Sequence, residues 1–358
     1  MRERLADFVW KGDSGAARAA RRFLTPISTL FEGVVAARNA AYDRGWLRSH
    51  QLALPALSVG NLTVGGTGKT PLASWFASRF LAMGVTPAII LRGYGNDETL
   101  VHQRLCPEAI VIADSNRVRA VEAARRRGAR VAILDDAFQH RRARRDTDVV
   151  LIAAEGSADA RLLPAGPWRE PLASLGRANV VVVTRKSATS AQARSVWGAV
   201  SRHAKGATVV AAHLAPDALV NVLTHESVPV AMLAGRRVTA IAGIGNPDAF
   251  AAQLRDLGAW VTTDFRDDHQ VFTHSDIRRL HARLEGDDIA VCTLKDAVKI
   301  ESYWPRRSPS LWYLSQRVTI EQGAAALERV LRHLVDAARM PEHTTPALAG
   351  PTVDSNGP

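Results

Sequence analysis

From Pro55 to Val59 the chain is apolar almost without interruption, and beyond a glycine-rich break Leu72, Trp75, Phe76 and Phe80 recur at helical spacing. The first stretch reads as a buried strand and the second as the apolar face of a helix. Further short aliphatic runs follow at Ala88–Leu91, Ile110–Ile112, Val131–Leu134, Val149–Ala153 and Val180–Val183, with a helix from about Ser115 to Arg127 that Gly128 stops. Runs that are aliphatic throughout predict strands buried on both faces, and their alternation with helices predicts an α/β fold with a mostly parallel sheet flanked by helices. Past about Ser187 the pattern resumes with strands at Val209–Ala211, Val238–Ala242, Ala290–Cys292 and Trp312–Leu314 and helices near 247–257 and 319–338. This predicts a second, smaller α/β domain over 188–340, joined to a core over 49–187 by a connection at about 187–207. Residues 341–358 hold four prolines, no lysine or arginine and no periodicity, so a disordered tail is expected there.

The break between the first strand and helix is the most informative polar segment. It reads Asn61-Leu62-Thr63-Val64-Gly65-Gly66-Thr67-Gly68-Lys69-Thr70-Pro71. Glycines let a backbone wrap closely and aim N–H groups at phosphate oxygens, the following helix N-terminus adds positive potential, Lys69 supplies a point charge and Thr70 a hydroxyl for Mg²⁺. A P-loop NTPase-like core is therefore expected, with Thr63 through Thr70 holding a nucleotide. The general pattern wants a glycine where Thr63 stands, and the nearest upstream glycine is Gly60. Asp135-Asp136 closes the strand Val131–Leu134, the place where an open sheet presents carboxylates to its ligand crevice and a P-loop protein handles Mg²⁺. The plainer reading of this pair is an acidic turn.

Charge narrows the class of partner. The 358 residues carry 46 Lys and Arg against 35 Asp and Glu, a formal +11 that favours an anionic partner. The basic runs Arg125–Arg127 and Arg141–Arg145 lack the interleaved aromatics that stack on bases, so no nucleic acid is expected. With only Cys106 and Cys292, neither a disulfide framework nor a cysteine metal cluster is expected. Residues 1–48 predict an N-terminal amphipathic helix: Phe23, Leu24, Ile27, Leu30, Phe31, Val34 and Val35 share one broad face, ringed by Arg18, Arg21, Arg22, Arg38, Arg44 and Arg48. An interfacial membrane helix is built this way, and so is a helix that packs on its own core.

Leu134-Asp135-Asp136-Ala137-Phe138-Gln139-His140-Arg141, taken with Ser58 to Pro71, resembles the tetraacyldisaccharide 4'-kinase family of lipid A synthesis. That family usually has glycine where Ala137 stands. Further blocks resemble it in the same order: Arg92-Gly93-Tyr94-Gly95, Asn96-Asp97-Glu98, Leu162 to Pro171, Val183-Thr184-Arg185, Ala242 to Pro247, Asp268-His269 and Lys295 to Lys299. Two departures stand out. Gly95 runs directly into Asn96-Asp97-Glu98 where the family has a longer insertion, and Leu294 replaces a usual glutamate.

The resemblance implies an ATP- and Mg²⁺-dependent kinase that phosphorylates the 4'-hydroxyl of an acylated disaccharide 1-phosphate held in a membrane. It implies Asp97 and His269 as a base pair acting with Lys69, and Thr70, Asp135, Asp136 and Glu170 near the metal. Asn61, Gln139, His140 and Arg169 are implied at the substrate. Without the resemblance, Asp97 reads as a turn residue, His269 as a surface residue and Arg169-Glu170 as a surface ion pair. The implied location is peripheral, on the cytoplasmic face of a bacterial inner membrane, with an anionic lipid surface as partner and no obligate protein partner. A nucleotide-switched ATPase that holds DNA explains Lys69 and the net charge but gives Asp97, His269 and the Leu162–Pro171 block no task.

Overall fold

A computed structural model describes residues 6, 8–10, 12–93, 97–156, 161–266, 272–284, 289–305 and 310–340. His269, Asn96 and the tail 341–358 lie outside them. The strands are β1 (His50–Gln51), β2 (Ala56–Asn61), β3 (Pro87–Leu91), β4 (Ile110–Ala113), β5 (Val131–Asp135), β6 (Ala143–Arg144), β7 (Thr147–Ala153), β8 (Val180–Arg185), β9 (Thr208–Asn221), β10 (Ser227–Pro229), β11 (Arg237–Ala242), β12 (Trp260–Phe265), β13 (Ile289–Cys292) and β14 (Leu311–Gln322). Apart from the small β1–β6 pair they form one sheet in the order β12-β11-β13-β14-β9-β8-β7-β2-β5-β3-β4, with β10 beside β9. From β4 to β9 neighbouring strands are parallel, as they are from β14 to β12; the seam β14–β9 is antiparallel.

The central strands β2, β3 and β5 are buried at every position, as their unbroken aliphatic runs require. One face of this half is covered by the helices Lys69–Ala82 and Ala324–Arg339, through Leu72, Phe76, Phe80, Leu327, Leu331 and Leu334. The other is covered by the helices Arg117–Arg126 and Ser190–His203. β2 is where chain order reverses across the sheet, so the segments leaving β2 and β5 open onto one crevice.

Three boundaries differ from the hydrophobic reading. The run at Val209–Ala211 is the start of a 14-residue strand, β9, whose first part pairs with β8 and whose remainder pairs with β14. The predicted helix 319–338 begins only at Ala324, because Val318 and Ile320 alternate with Arg317, Thr319 and Glu321 at the period of a strand, and Gly323 (φ 82°) makes the turn. That helix belongs to the core of the first half, not the second: its apolar stripe needs a sheet face, and β14 delivers it to one. The connection 187–207 contains the helix Ser190–His203, started by a capping box between Thr189 and Gln192.

Near the N-terminus the helix Gly15–Asp43 divides the expected broad apolar face into two stripes. Ser28 is buried, donating a hydrogen bond to the Leu162 carbonyl and accepting one from the Ala165 N–H, and Phe31 packs against the core beneath Leu162 and Trp168. Phe23, Ile27, Leu30 and Val34, at i, i+4, i+7 and i+11, face solvent at 80%, 49%, 70% and 59% exposure. The helix thus packs on its own core and also leaves an apolar face bare.

Candidate active site

The loop between β2 and the helix Lys69–Ala82 is shaped by its glycines and braced from two sides. Gly68 has φ 92°, and a Cβ there would sit 2.3 Å from Leu214 Cδ1. Gly60, just upstream, has no room for a side chain, since a Cβ would lie 2.6 Å from Phe138 Cβ and 2.9 Å from its backbone nitrogen. This close approach seats the turn after β5 against β2. On one side, Val64 N–H donates to the Pro167 carbonyl (2.8 Å) and Arg169 N–H to the Leu62 carbonyl (2.7 Å), which fastens the Leu162–Pro171 block to the loop. On the other, Thr184 Oγ1 donates to the Thr67 carbonyl (2.8 Å) and Lys186 Nζ to the Gly66 carbonyl (2.9 Å). Lys186 is held in turn by Glu155, which accepts hydrogen bonds from the Lys186, Ser187 and Ala188 N–H groups. Burial, followed by the nearby Lys69 charge, lowers the Lys186 ammonium against the pull of Glu155.

The loop borders a cleft of about 2310 Å³. Lys69 Nζ lies 3.7 Å from Asp136 Oδ1, and Arg169 donates to both Asp136 oxygens at 3.1 and 3.0 Å. Burial alone would raise the Asp136 carboxyl; Lys69 and Arg169 together outweigh it and hold the group below the usual carboxylate range. Asp136 also takes the left-handed backbone conformation in this turn, with φ 49°. Asp135 is buried, and its Oδ1 accepts no hydrogen bond. A buried carboxylate oxygen without a partner, next in sequence to a second ionised carboxylate and in a cleft that the Thr70 hydroxyl also lines, suits a hard cation such as Mg²⁺. Among the described residues no three His, Cys, Asp or Glu side chains gather into a metal cage. Mg²⁺ needs none where it shares its sphere with phosphates and water.

The cleft also has a basic lining. Gln139, His140, Arg92 and Arg117 contribute to it, joined by Arg21 and Arg38 from the N-terminal helix. Burial, then the charges of Arg117, Arg145, Arg38 and Arg92, press the His140 imidazole down to about 4, so it is neutral at physiological pH. Burial also lowers the Arg117 guanidinium, to about 10, still charged.

A profile of the family described as Tetraacyldisaccharide-1-P 4'-kinase matches residues 20–336. The chain belongs to this family. It is 36% identical over 311 residues to the tetraacyldisaccharide 4'-kinase of Chlorobium luteolum, covering 78% of this chain and 86% of that protein. To the kinase of Halorhodospira halophila it is 32% identical, with 91% and 96% covered. Its structure is similar to that of LpxK from Aquifex aeolicus solved in complex with ATP, with a TM-score of 0.70 at 28% identity, covering 89% of this chain and 99% of that one.

Of the residues the kinase resemblance singles out, Thr63 through Thr70, Asp135, Asp136, Gln139, His140 and Arg169 line the cleft. Asn61 does not. It is fully buried at the end of β2, where its Nδ2 donates to Thr67 Oγ1 (3.0 Å) and its carbonyl accepts from Gln139 (2.8 Å), so it stiffens the loop from within. Glu170 is also buried and away from the cleft wall; its carboxylate is ion-paired with Arg177, whose guanidinium lies 4.6 Å over the Phe138 ring. Asp97 starts the helix Asp97–Leu105 and lies 3.5 Å from Lys299 Nζ, in the helix Leu294–Ile300. Its neighbour Glu98 does line the cleft, with its carboxyl raised by burial and then by the charges of Asp135 and Asp97. The Ala137 departure is explained by the turn: the left-handed residue is Asp136, so position 137 needs no glycine, and its methyl is fully buried.

Sequence reasoning gave no role to Thr184, Lys186, Glu98 and Arg117. Thr184 and Lys186 had a signal, since they sit at the C-terminal end of a parallel strand, where ligand sites form. Arg117 and Glu98 had none, because only packing brings their helices to the crevice.

Proposed function

We propose that this chain transfers the γ-phosphoryl group of ATP to the 4'-hydroxyl of a tetraacylated disaccharide 1-phosphate, giving the doubly phosphorylated lipid of lipid A synthesis. The observation that carries the reading is that Lys69 and Arg169 converge on Asp136, with Thr70 and Asp135 lining the same cleft as a group of arginines. Phosphoryl transfer needs a clamp on the triphosphate, offset of developing charge, and a positioned acceptor oxygen. Backbone N–H groups of the loop and Lys69 clamp the β- and γ-phosphates. In the free protein Asp136 pairs with both Lys69 and Arg169, and the arriving triphosphate competes for both cations. Thr70, Asp135 and Asp136 would hold Mg²⁺, which would offset the charge developing on the phosphoryl oxygens.

The proton acceptor is Asp97 acting with His269. It takes the 4'-hydroxyl proton as that oxygen bonds to the γ-phosphorus and the bond to the β-phosphate oxygen breaks, releasing ADP. Gln139, neutral His140 and the surrounding arginines receive the acceptor, whose 1-phosphate is the anion that the basic lining suits.

The acyl chains of such an acceptor stay in the bilayer, so the protein works as a peripheral enzyme on the cytoplasmic face of the inner membrane. Support comes from the bare stripe Phe23, Ile27, Leu30 and Val34, on the same helix whose Arg21 and Arg38 line the cleft. No helix among the described residues is long and apolar enough to cross a membrane. The test is transfer of labelled phosphate from ATP to the acceptor dispersed in detergent, run beside DNA-stimulated ATP hydrolysis. Hydrolysis that responds to DNA, with no labelled lipid, overturns the kinase reading.

A further inference from the structure

His102 belongs to none of the groups assigned above. It lies inside the helix Asp97–Leu105, is completely buried, and is engaged at both ring nitrogens. Nε2 is 2.9 Å from Asp135 Oδ2, and Nδ1 is 3.1 Å from Ser74 Oγ. One hydrogen-bond arrangement satisfies all three groups: Nε2–H donates to the carboxylate, and the Ser74 hydroxyl donates to Nδ1. Ser74 stands one turn after Thr70 on the same helix, so Ser74, His102 and Asp135 form a buried chain from the phosphate-loop helix to the end of β5. The other Asp135 oxygen, Oδ1, is left buried without a hydrogen bond.

We propose that His102 is a positioning residue for Asp135, holding Oδ2 so that the carboxylate keeps one orientation and presents Oδ1 to Mg²⁺. This rests on the reading above that Asp135 takes part in holding the metal. A buried carboxylate bonded through only one oxygen swings about its terminal torsion unless that bond is kept. Groups that hold a ligating carboxylate from behind typically change metal affinity or activity by about 10- to 100-fold when removed. If His102 served only to fill the core, an apolar residue of similar size would do as well. Leucine there leaves both Asp135 Oδ2 and Ser74 Oγ without their shared partner, whereas glutamine offers an amide N–H to the carboxylate and a carbonyl to the hydroxyl.

The experiment titrates Mn²⁺, a paramagnetic substitute for Mg²⁺, into the full chain with a non-hydrolysable ATP analogue and reads bound metal by electron paramagnetic resonance. His102→Leu is expected to weaken Mn²⁺ binding about 10-fold or more, and His102→Gln to recover most of it, with metal-free binding of the analogue unchanged in both. Wild-type Mn²⁺ affinity in His102→Leu, or a glutamine variant no better than leucine, overturns the proposal. Asp135→Asn is the control that separates the two readings: Mn²⁺ binding unchanged in that variant overturns the metal assignment itself. If His102→Leu does not fold, ¹⁵N spectra of histidine-labelled wild type decide, using the resonance lost in His102→Gln. A ring that carries a proton at Nε2 supports the proposal, and one whose Nε2 carries none overturns it.

Discussion

Replacing Phe23 and Leu30 together by serine removes the two most exposed members of the bare stripe on the N-terminal helix. Fully burying such a side chain contributes about 2–3 kcal/mol, and these two are 80% and 70% exposed, so nearly their whole apolar surface is available to lipid. An interfacial helix dips only part-way into the acyl region, which lowers the gain to about 1 kcal/mol each, or about 2 kcal/mol for the pair. That corresponds to a roughly 30-fold fall in partition onto vesicles. The assay is sedimentation of the protein with vesicles containing anionic lipid, beside phosphate transfer to acceptor dispersed in detergent. Partition should fall while detergent-based turnover stays near wild type, because neither side chain lines the cleft. Undiminished vesicle binding would refute the membrane role of the stripe. Lost turnover in detergent would show instead that the helix supports the site.

Lys69→Ala should lower phosphate transfer by about two to three orders of magnitude; intact turnover would remove the loop from the site. Asp97→Ala should depress kcat far more than ATP affinity, the pattern of a group acting mainly in the transition state, and an unchanged rate would leave Asp97 a structural role such as its ion pair with Lys299. Gly60→Ala should destabilise the fold by about 2–3 kcal/mol in urea unfolding, since the Phe138 backbone offers the new methyl nowhere to go. His140 gives a pH test. Its folded value of about 4 lies below the ordinary 6.5, so between them the unfolded chain binds more protons and stability rises with pH. A contribution on the order of 1–3 kcal/mol, discounted for partial exposure, should be complete above pH 6.5 and lost as pH falls toward 4. Unfolding of wild type and His140→Asn across that range reads it, and parallel curves would refute it.

The strand that enters the phosphate loop, the helix that leaves it and the carboxylates after β5 were legible because each is a local pattern. An unbroken aliphatic run, a glycine-rich turn before Lys-Thr and an acidic strand end each carry their meaning within about ten residues. The long strands β9 and β14 were legible only in part. Their polar positions sit among the apolar ones at the period of a strand, and Val318 and Ile320 fit a helix as well until their partners in β9 are known.

What the chain's own residues determined is the kind of chemistry to expect: a phosphate cradle, carboxylates suited to Mg²⁺ and a positive balance that favours an anionic partner follow from residue types at short spacings. The tertiary structure alone decided which side chains meet. Asn61 and Glu170 are buried by their neighbours, while Glu98, Arg117 and Lys186 reach the cleft from three separate elements. The bond from His102 to Asp135 joins residues 33 positions apart. Local spacing says nothing about such a pair, because the contact exists only once two elements have packed against the same sheet.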